Sequence, residues 1–378
     1  MRIPQICLAL ILLSLFSVNT ALALDPALIL EEPVEGKRVL GNFAGGNLIL
    51  ASSEGIRMLS ATGKEFSRSA LESNQGLVSS GDGKFFGITT FSENTPSGFL
   101  GADKFDLYSA DGAKIWDISR PPVADFYVSN RANWIVGVAS GGDGPQSGLI
   151  FYDHAGDSLS SIKIGFLQGI FFSPDGKRIF VNSAKDGLVA FGTNRDSTSG
   201  SLETTSYGPC DNFAASSSGE NVATFSQGSF NFFYRGNRTG SYTQPDILVR
   251  KMALSPDGKY LAFLDKKSLS LLETNTGKFL WQYILDKPEL SFISLDVSGN
   301  ASRIIVGVDF DKGKKEDPEN RHTNGFVYLL DRSGKTVWTK EFTYKLWGAN
   351  FPKVQFSSDG TGFSVLTREK VYLYKNSL

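Results

Sequence analysis

Ser173-Pro174-Asp175-Gly176 and Ser255-Pro256-Asp257-Gly258 are near copies of one turn, and the pattern returns at Ser80-Gly81-Asp82-Gly83 and Ser357-Ser358-Asp359-Gly360. Weaker copies sit at Ser218-Gly219 and Ser298-Gly299, and degenerate ones at Gly45-Gly46 and between Asn130 and Asn133. A turn repeated along the whole chain marks an architecture in which each unit buries its apolar face only by stacking on its neighbour. Eight repeats are implied.

Each turn leads into an apolar, β-branched or aromatic run such as Arg178-Ile179-Phe180-Val181 or Tyr260-Leu261-Ala262-Phe263, which reads as a buried strand. A second series of turns follows one strand later: Thr62-Gly63, Asp111-Gly112, Ala155-Gly156, Asn194-Arg195, Gly236-Asn237, Thr276-Gly277 and Ser333-Gly334. No stretch of any length carries helical periodicity. Each repeat is thus four antiparallel strands, and four strands every 40 to 45 residues or so is the pattern of a propeller blade. The predicted fold class is all-β, a single β-propeller of eight four-stranded blades, with seven blades as the alternative. Gly176, Gly258 and Gly360 are structural, since tight hairpins demand positive φ. The eighth repeat lacks a second-series turn and offers only three strands before Leu378. The run Ala27 to Val34 belongs to no repeat, so it is predicted to supply the missing outer strand and hide the open edges.

Arg2, the apolar run from Ile6 to Phe16 and the small-residue site Ala21-Leu22-Ala23 read as a secretory signal peptide. The expected organisation is a signal peptide over 1–23 and a β-propeller domain over 24–378, exported to the periplasm or secreted, soluble and monomeric. The apolar run falls short of the roughly 20 residues of a membrane helix, and no later segment offers a membrane span. Cys210 is the one cysteine outside the leader, so no intramolecular disulfide can form. It reads as a small buried hydrophobe, with a reactive thiol as the alternative. Lys+Arg number 38 against 39 Asp+Glu, leaving no one-signed field for a nucleic-acid partner.

Phe171-Phe172-Ser173-Pro174-Asp175-Gly176-Lys177 and Ala253-Leu254-Ser255-Pro256-Asp257-Gly258-Lys259 resemble the strand and turn of WD40-like propellers. The runs from Asp111 to Trp116, Thr276 to Trp281 and Ser333 to Trp338 are similar to the element of quinoprotein-type (PQQ-like) repeats that ends in Trp. That second resemblance implies that Trp116, Trp281 and Trp338 are structural, largely buried on outer strands and docked against a neighbouring blade. The enzymatic quinoproteins carry an adjacent Cys pair beneath the quinone and calcium ligands, which this chain lacks, so no cofactor is expected. Both motifs speak to architecture.

A search for chemistry finds little. Gly334-Lys335-Thr336 lacks the upstream glycine of a phosphate loop, Leu329 standing in its place, and joins two strands with no helix N-terminus. The run Ser109 to Trp116 approaches the sialidase Asp box, yet Asp111 and Gly112 are adjacent where that motif separates them. No G-x-S-x-G elbow occurs, and His154 and His322 stand apart from carboxylate or Cys clusters at metal spacing. Asp309, Asp311, Glu316, Asp317 and Glu319 are interspersed with Lys312, Lys314 and Lys315, which reads as a solvated charged loop. No catalytic or metal-binding residue is assigned.

Three repeats are lengthened between their second and third strands, over Phe91 to Lys104, Ala139 to Gly148 and Asp309 to Gly325. Such loops emerge on the face that also carries the connections between blades, which marks it as the working face. Phe91, Phe99, Phe310 and Trp347 are the candidate partner-binding residues there, because aromatic side chains dominate binding hot spots. The function expected is a non-catalytic scaffold that binds another exported protein or an envelope component. The alternatives are a lyase or glycan hydrolase with carboxylates around the central funnel, or a ligand-sensing propeller.

Overall fold

In the computed structural model, the described residues are 25–34, 38–40, 47–52, 55–60, 64–72, 74–91, 102–121, 123, 125–140, 147–193, 202–265, 267–286, 290–311, 323–344, 351–357 and 359–376. They form eight four-stranded antiparallel sheets. Blade 1 runs from Arg38 to Ser69, blade 2 from Gln75 to Ser119, blade 3 from Asp125 to Ile164 and blade 4 from Leu167 to Gly208. Blade 5 runs from Asn212 to Thr243, blade 6 from Lys251 to Ile284 and blade 7 from Leu290 to Tyr344. Blade 8 takes Lys353–Phe356, Gly362–Leu366 and Lys370–Lys375 from the chain's end and its outermost strand, Ala27–Pro33, from the beginning. The all-β, eight-bladed fold and its closing strand are therefore present. Residues 1–24 lie outside the described residues, as do those of the Gly45-Gly46, Thr62-Gly63 and Asn194-Arg195 turns.

The Ser-x-Asp-Gly turns fold the same way wherever they occur. Ser173 Oγ donates to Asp175 Oδ1 at 2.6 Å and accepts the Arg178 backbone N–H at 2.9 Å, while Asp175 Oδ1 also accepts the Lys177 N–H. Ser255 with Asp257 and Ser357 with Asp359 repeat the arrangement. The serine and aspartate thereby occupy the hairpin's inner polar groups without recourse to water. In the weaker copy of blade 7 the positive φ belongs to Ala301 and not to Gly299. Ala301 stands three residues after Ser298 and bonds back to its carbonyl at 2.7 Å, and Ala132 does the same with Ser129 in blade 3. The hydrogen-bond frame, set by the serine, decides which residue is left-handed.

Neighbouring turns are tied into a belt. Asp175 N–H donates to Ser217 O, Ser217 N–H to Pro256 O and Asn130 Nδ2 to Pro174 O, linking blades 3 to 6 in order. Close approach within the belt leaves no room at Gly176, where a Cβ would lie 2.2 Å from the Asn130 carbonyl oxygen.

Between the blades, apolar faces interdigitate. Leu269 and Leu271 of blade 6 share a core with Phe292, Ile304 and Val306 of blade 7, and the Phe230 ring of blade 5 meets that of Phe263 of blade 6 in a tilted contact at 4.7 Å. At the ring's seam Val34 packs with Leu48, Leu50 and Leu59 of blade 1 and with Val371 of blade 8. Arg57 of blade 1 pairs there with Glu32 at 2.8 Å.

Every blade carries a register shift between its third and outermost strands, with the extra residue always on the outermost. A bulge there sharpens the twist of the one strand that has no further partner, which discourages edge-to-edge pairing. The N-terminal strand obeys the rule, with Ile29 as its extra residue.

Candidate functional site

The innermost strands of blades 2 to 8 line a central channel of about 1030 Å³ that opens at the Ser-x-Asp-Gly turns, with Arg131, Pro174 and Pro256 at its mouth. Strand alternation sets what faces it. Counting back from each turn serine, the first and third residues are mostly apolar and pack toward the preceding blade, while the second and fourth lie on the other face of the strand, where Val78, Ala214 and Ala253 pack toward the following blade and Tyr127 and Phe171 remain open to the channel. The second-position ring is Val78, Tyr127, Phe171, Ala214, Ala253, Asp296 and Gln355 in blades 2 to 8. Two of these are unusually open for aromatic residues on inner strands: Tyr127 is 36% and Phe171 51% exposed. The Phe171 ring lies over Gly169 of its own strand and meets Phe213 of blade 5 edge-on at 4.9 Å.

Asp296 is the carboxylate of this ring. Its Oδ1 accepts the Val297 N–H at 2.8 Å and its Oδ2 reaches across the blade junction to accept the Phe356 N–H at 2.7 Å. Burial pushes its carboxyl up to about 6, against the opposing pull of those two N–H donors. Beside it, Ser294 Oγ donates to Pro352 O and accepts the Val354 N–H, so two side chains of blade 7 pin the innermost strand of blade 8. The other ionisable side chains of the wall, Asp82, Lys84, Asp125 and Arg131, belong to blades 2 and 3. Among the described residues no group of three or more His, Cys, Asp or Glu is arranged to hold a metal ion.

The aromatic residues singled out in the sequence do not assemble into one visible surface. Phe99 and Trp347 lie outside the described residues, and so does the side chain of Phe310, whose backbone ends the pairing of Leu290 with the second strand of blade 7. Phe91 is half-buried at the end of the second strand of blade 2, its ring packed onto Gly76 of the innermost strand. The insertions fall between second and third strands in blades 2, 3 and 7, mostly within 92–101, 141–146 and 312–322, outside the described residues.

Trp116, Trp281 and Trp338 each follow the bulge residue of an outermost strand and pair with Leu107, Leu271 and Leu329. Each contacts the next blade. Trp116 lies over Gly156 of blade 3; Trp281 lies over Gly334 of blade 7 and donates its indole N–H to Arg332 O at 2.7 Å. Trp338 meets Phe363 and Tyr374 of blade 8 at 5.6 and 5.4 Å. Each keeps part of its surface open to solvent, because an outermost strand is covered on one side only. Cys210 is packed with Phe180, Leu188 and Tyr207, and burial with the adjacent Asp211 pushes its thiol up to about 11, so it stays protonated at neutral pH.

Tyr127, Phe171 and Asp296 escape a motif search because no local pattern surrounds them; their shared place two residues before the turn serine is the signal. Among the described residues no helix is long and apolar enough to cross a membrane.

The sequence matches no protein-family model and no curated protein. Solved structures similar in fold include the WD40 domain of SCAP from fission yeast, at TM-score 0.57 and 10% identity over 92% of this chain and 98% of that one. The C-terminal WD40 domain of Sif2 aligns at TM-score 0.56 and 12% identity over 93% and 98%. The Dos1 propeller aligns at TM-score 0.56 and 11% identity over 93% and 95%. At such identities the likeness is one of fold, and the fold is a WD40-type β-propeller.

Proposed function

We propose that this chain is an exported, non-catalytic propeller that serves as a protein-interaction scaffold in the bacterial envelope or outside the cell, with another exported protein or envelope component as its partner. The observation that carries the reading is the asymmetry of the two faces. One end of the disc is ringed by short, mutually bonded turns, whereas the strands lead the three insertions and the connections between blades to the other. Phe166, Leu248 and Ile284, at 66, 72 and 63% exposure, stand on that second face at the junctions of blades 3 with 4, 5 with 6, and 6 with 7. Apolar side chains this open, beside long loops on a rigid ring, suit a docking surface. Phe91, Phe99, Phe310 and Trp347 serve as its further anchors. Export rests on the leader features of residues 1–23.

The test is capture from envelope extract by the mature chain and by a variant in which residues 309–325 are replaced with an Asn-Gly turn, alone and with Leu248→Asp. Both variants are expected to keep the parent's melting temperature and to lose a captured protein. An unchanged set of captured proteins would move the binding surface off this face.

A further inference from the structure

The second-position ring has a side built of rings and a side built of polar groups. On an eight-membered ring blade 3 faces blade 7 and blade 4 faces blade 8, so Tyr127 and Phe171 stand across the channel from Asp296 and Gln355. We propose that the turn-side mouth of the channel binds an organic cation carried on an apolar stem, its charged head at Asp296 and its stem over Tyr127 and Phe171.

Four observations lead there. The aromatic pair is exposed within a concave space large enough for a small guest, and convergent apolar and polar walls are what ligand sites are made of. Each Asp296 oxygen accepts a single backbone N–H, which leaves a lone pair on each for a guest. No ion pair joins Asp296 to a cation among the described residues, and the neighbouring second-position residues, Ala253 and Gln355, bear no charge. With its carboxyl at about 6, Asp296 is ionised at neutral pH in a poorly hydrated place, where a cation is more favourable than it would be in water. Of the cations on or near the wall, Lys84 and Arg131 stand on blades 2 and 3 beside Asp82 and Asp125, while the exposed Lys251 and Lys353 occupy the far ends of the innermost strands of blades 6 and 8, Lys353 with its ammonium over the Phe351 ring. An anion would meet Asp296 unfavourably, and a neutral guest would forgo it. The rings give the stem an apolar surface to lie on.

This site is at the opposite end of the channel from the proposed docking face, so the two readings stand or fall separately; replacing residues 309–325 leaves it untouched. The head group could belong to a free amine or to a lysine or arginine side chain. Calorimetric titration with phenethylammonium, with its neutral counterpart 2-phenylethanol and with the capped tripeptide acetyl-Gly-Lys-Gly-amide tests the chemistry and separates the sources. The wild type is expected to bind at least one ammonium probe saturably and to prefer phenethylammonium to 2-phenylethanol by about tenfold or more. Asp296→Asn keeps an acceptor for the Phe356 N–H and is expected to abolish that preference, while Phe171→Ala weakens phenethylammonium and 2-phenylethanol alike. Tighter binding of the tripeptide assigns the site to a protein side chain, and tighter binding of phenethylammonium assigns it to a free amine. The wild-type preference reads the carboxylate even if a variant fails to fold. Failure of both ammonium probes to bind at up to about 10 mM, the weak end of measurable affinity, or equal affinity for phenethylammonium and 2-phenylethanol, overturns the proposal.

Discussion

Gly176, Gly258 and Gly360 hold the same place in three turns, with φ of +70°, +74° and +71°, so an alanine at each meets the same backbone penalty. What differs is the surroundings. A Cβ at Gly360 would find nothing nearer than Ser298 Cβ at 3.9 Å; at Gly258 it would meet the side chain of Asn221 at 2.4 Å; at Gly176 it would lie 2.2 Å from the Asn130 carbonyl oxygen. Left-handed backbone costs an alanine about 1–2 kcal/mol, and that is the whole expected loss for Gly360→Ala. At Gly176 the belt between blades 3 and 4 must also spread, which adds roughly 1–3 kcal/mol of overpacking. Gly176→Ala should therefore lose about 2–5 kcal/mol. Gly258→Ala should fall between them, because the Asn221 side chain can swing aside where a main-chain carbonyl cannot. Urea unfolding at constant m-value reads the three losses as shifts of the midpoint. If Gly176→Ala loses no more than Gly360→Ala, the approach of neighbouring turns does not constrain the ring, and the argument from close packing is wrong.

Deleting residues 24–34 removes the outermost strand of blade 8, the Glu32 partner of Arg57 and buried Val34, and is expected to lower the melting temperature and promote aggregation through the bared Lys370–Lys375 edge; an unchanged melting temperature with no aggregation would count against closure by this strand. Asp296 gives a pH dependence whose sign is fixed by its raised carboxyl. The folded chain holds that proton more tightly than the unfolded one, so this group's contribution is most favourable below about pH 4 and is lost as pH rises through about 6. Relative to wild type, Asp296→Asn should gain about 1–2 kcal/mol at pH 7.5, after allowance for channel water, and lose that gain by pH 4. A difference that is flat with pH would show that burial does not govern this carboxyl.

The blade count, the closing strand and the place of the insertions were legible because they depend on turns, and turns are written in local residue chemistry. The serine, the aspartate and the left-handed glycine must be consecutive or nearly so, and Ser173 to Gly176 shows all of them. The weaker copy in blade 7 hides its left-handed residue: the turn keeps the serine frame but lets Ala301 take that place, and nothing in the composition of Ser298 to Ala301 announces it. The bulge before Trp116, Trp281 and Trp338 was likewise silent, although it explains why the tryptophans reach the next blade. Ile115, Leu280 and Val337 each take up the extra position, so the residue after them faces the neighbouring sheet.

The channel was hidden for a different reason. An innermost strand is apolar toward its neighbouring blades at the first and third places before the serine, as Val128 and Phe126 or Val297 and Leu295 illustrate. At the second place the demand is uneven: Val78, Ala214 and Ala253 pack toward the following blade, whereas Tyr127 and Phe171 stay open to the channel and Asp296 and Gln355 are polar. Read one repeat at a time, Asp296 is a polar residue in a strand and Phe171 an apolar one, and neither is unusual. Aligned on the serine, the repeats separate two columns that are mostly apolar from one in which Val78, Ala214 and Ala253 still pack while Tyr127 and Phe171 do not. Open aromatic rings in that column are not demanded by blade packing, so they are the residues on which selection for a ligand could act with the least disturbance of the blades.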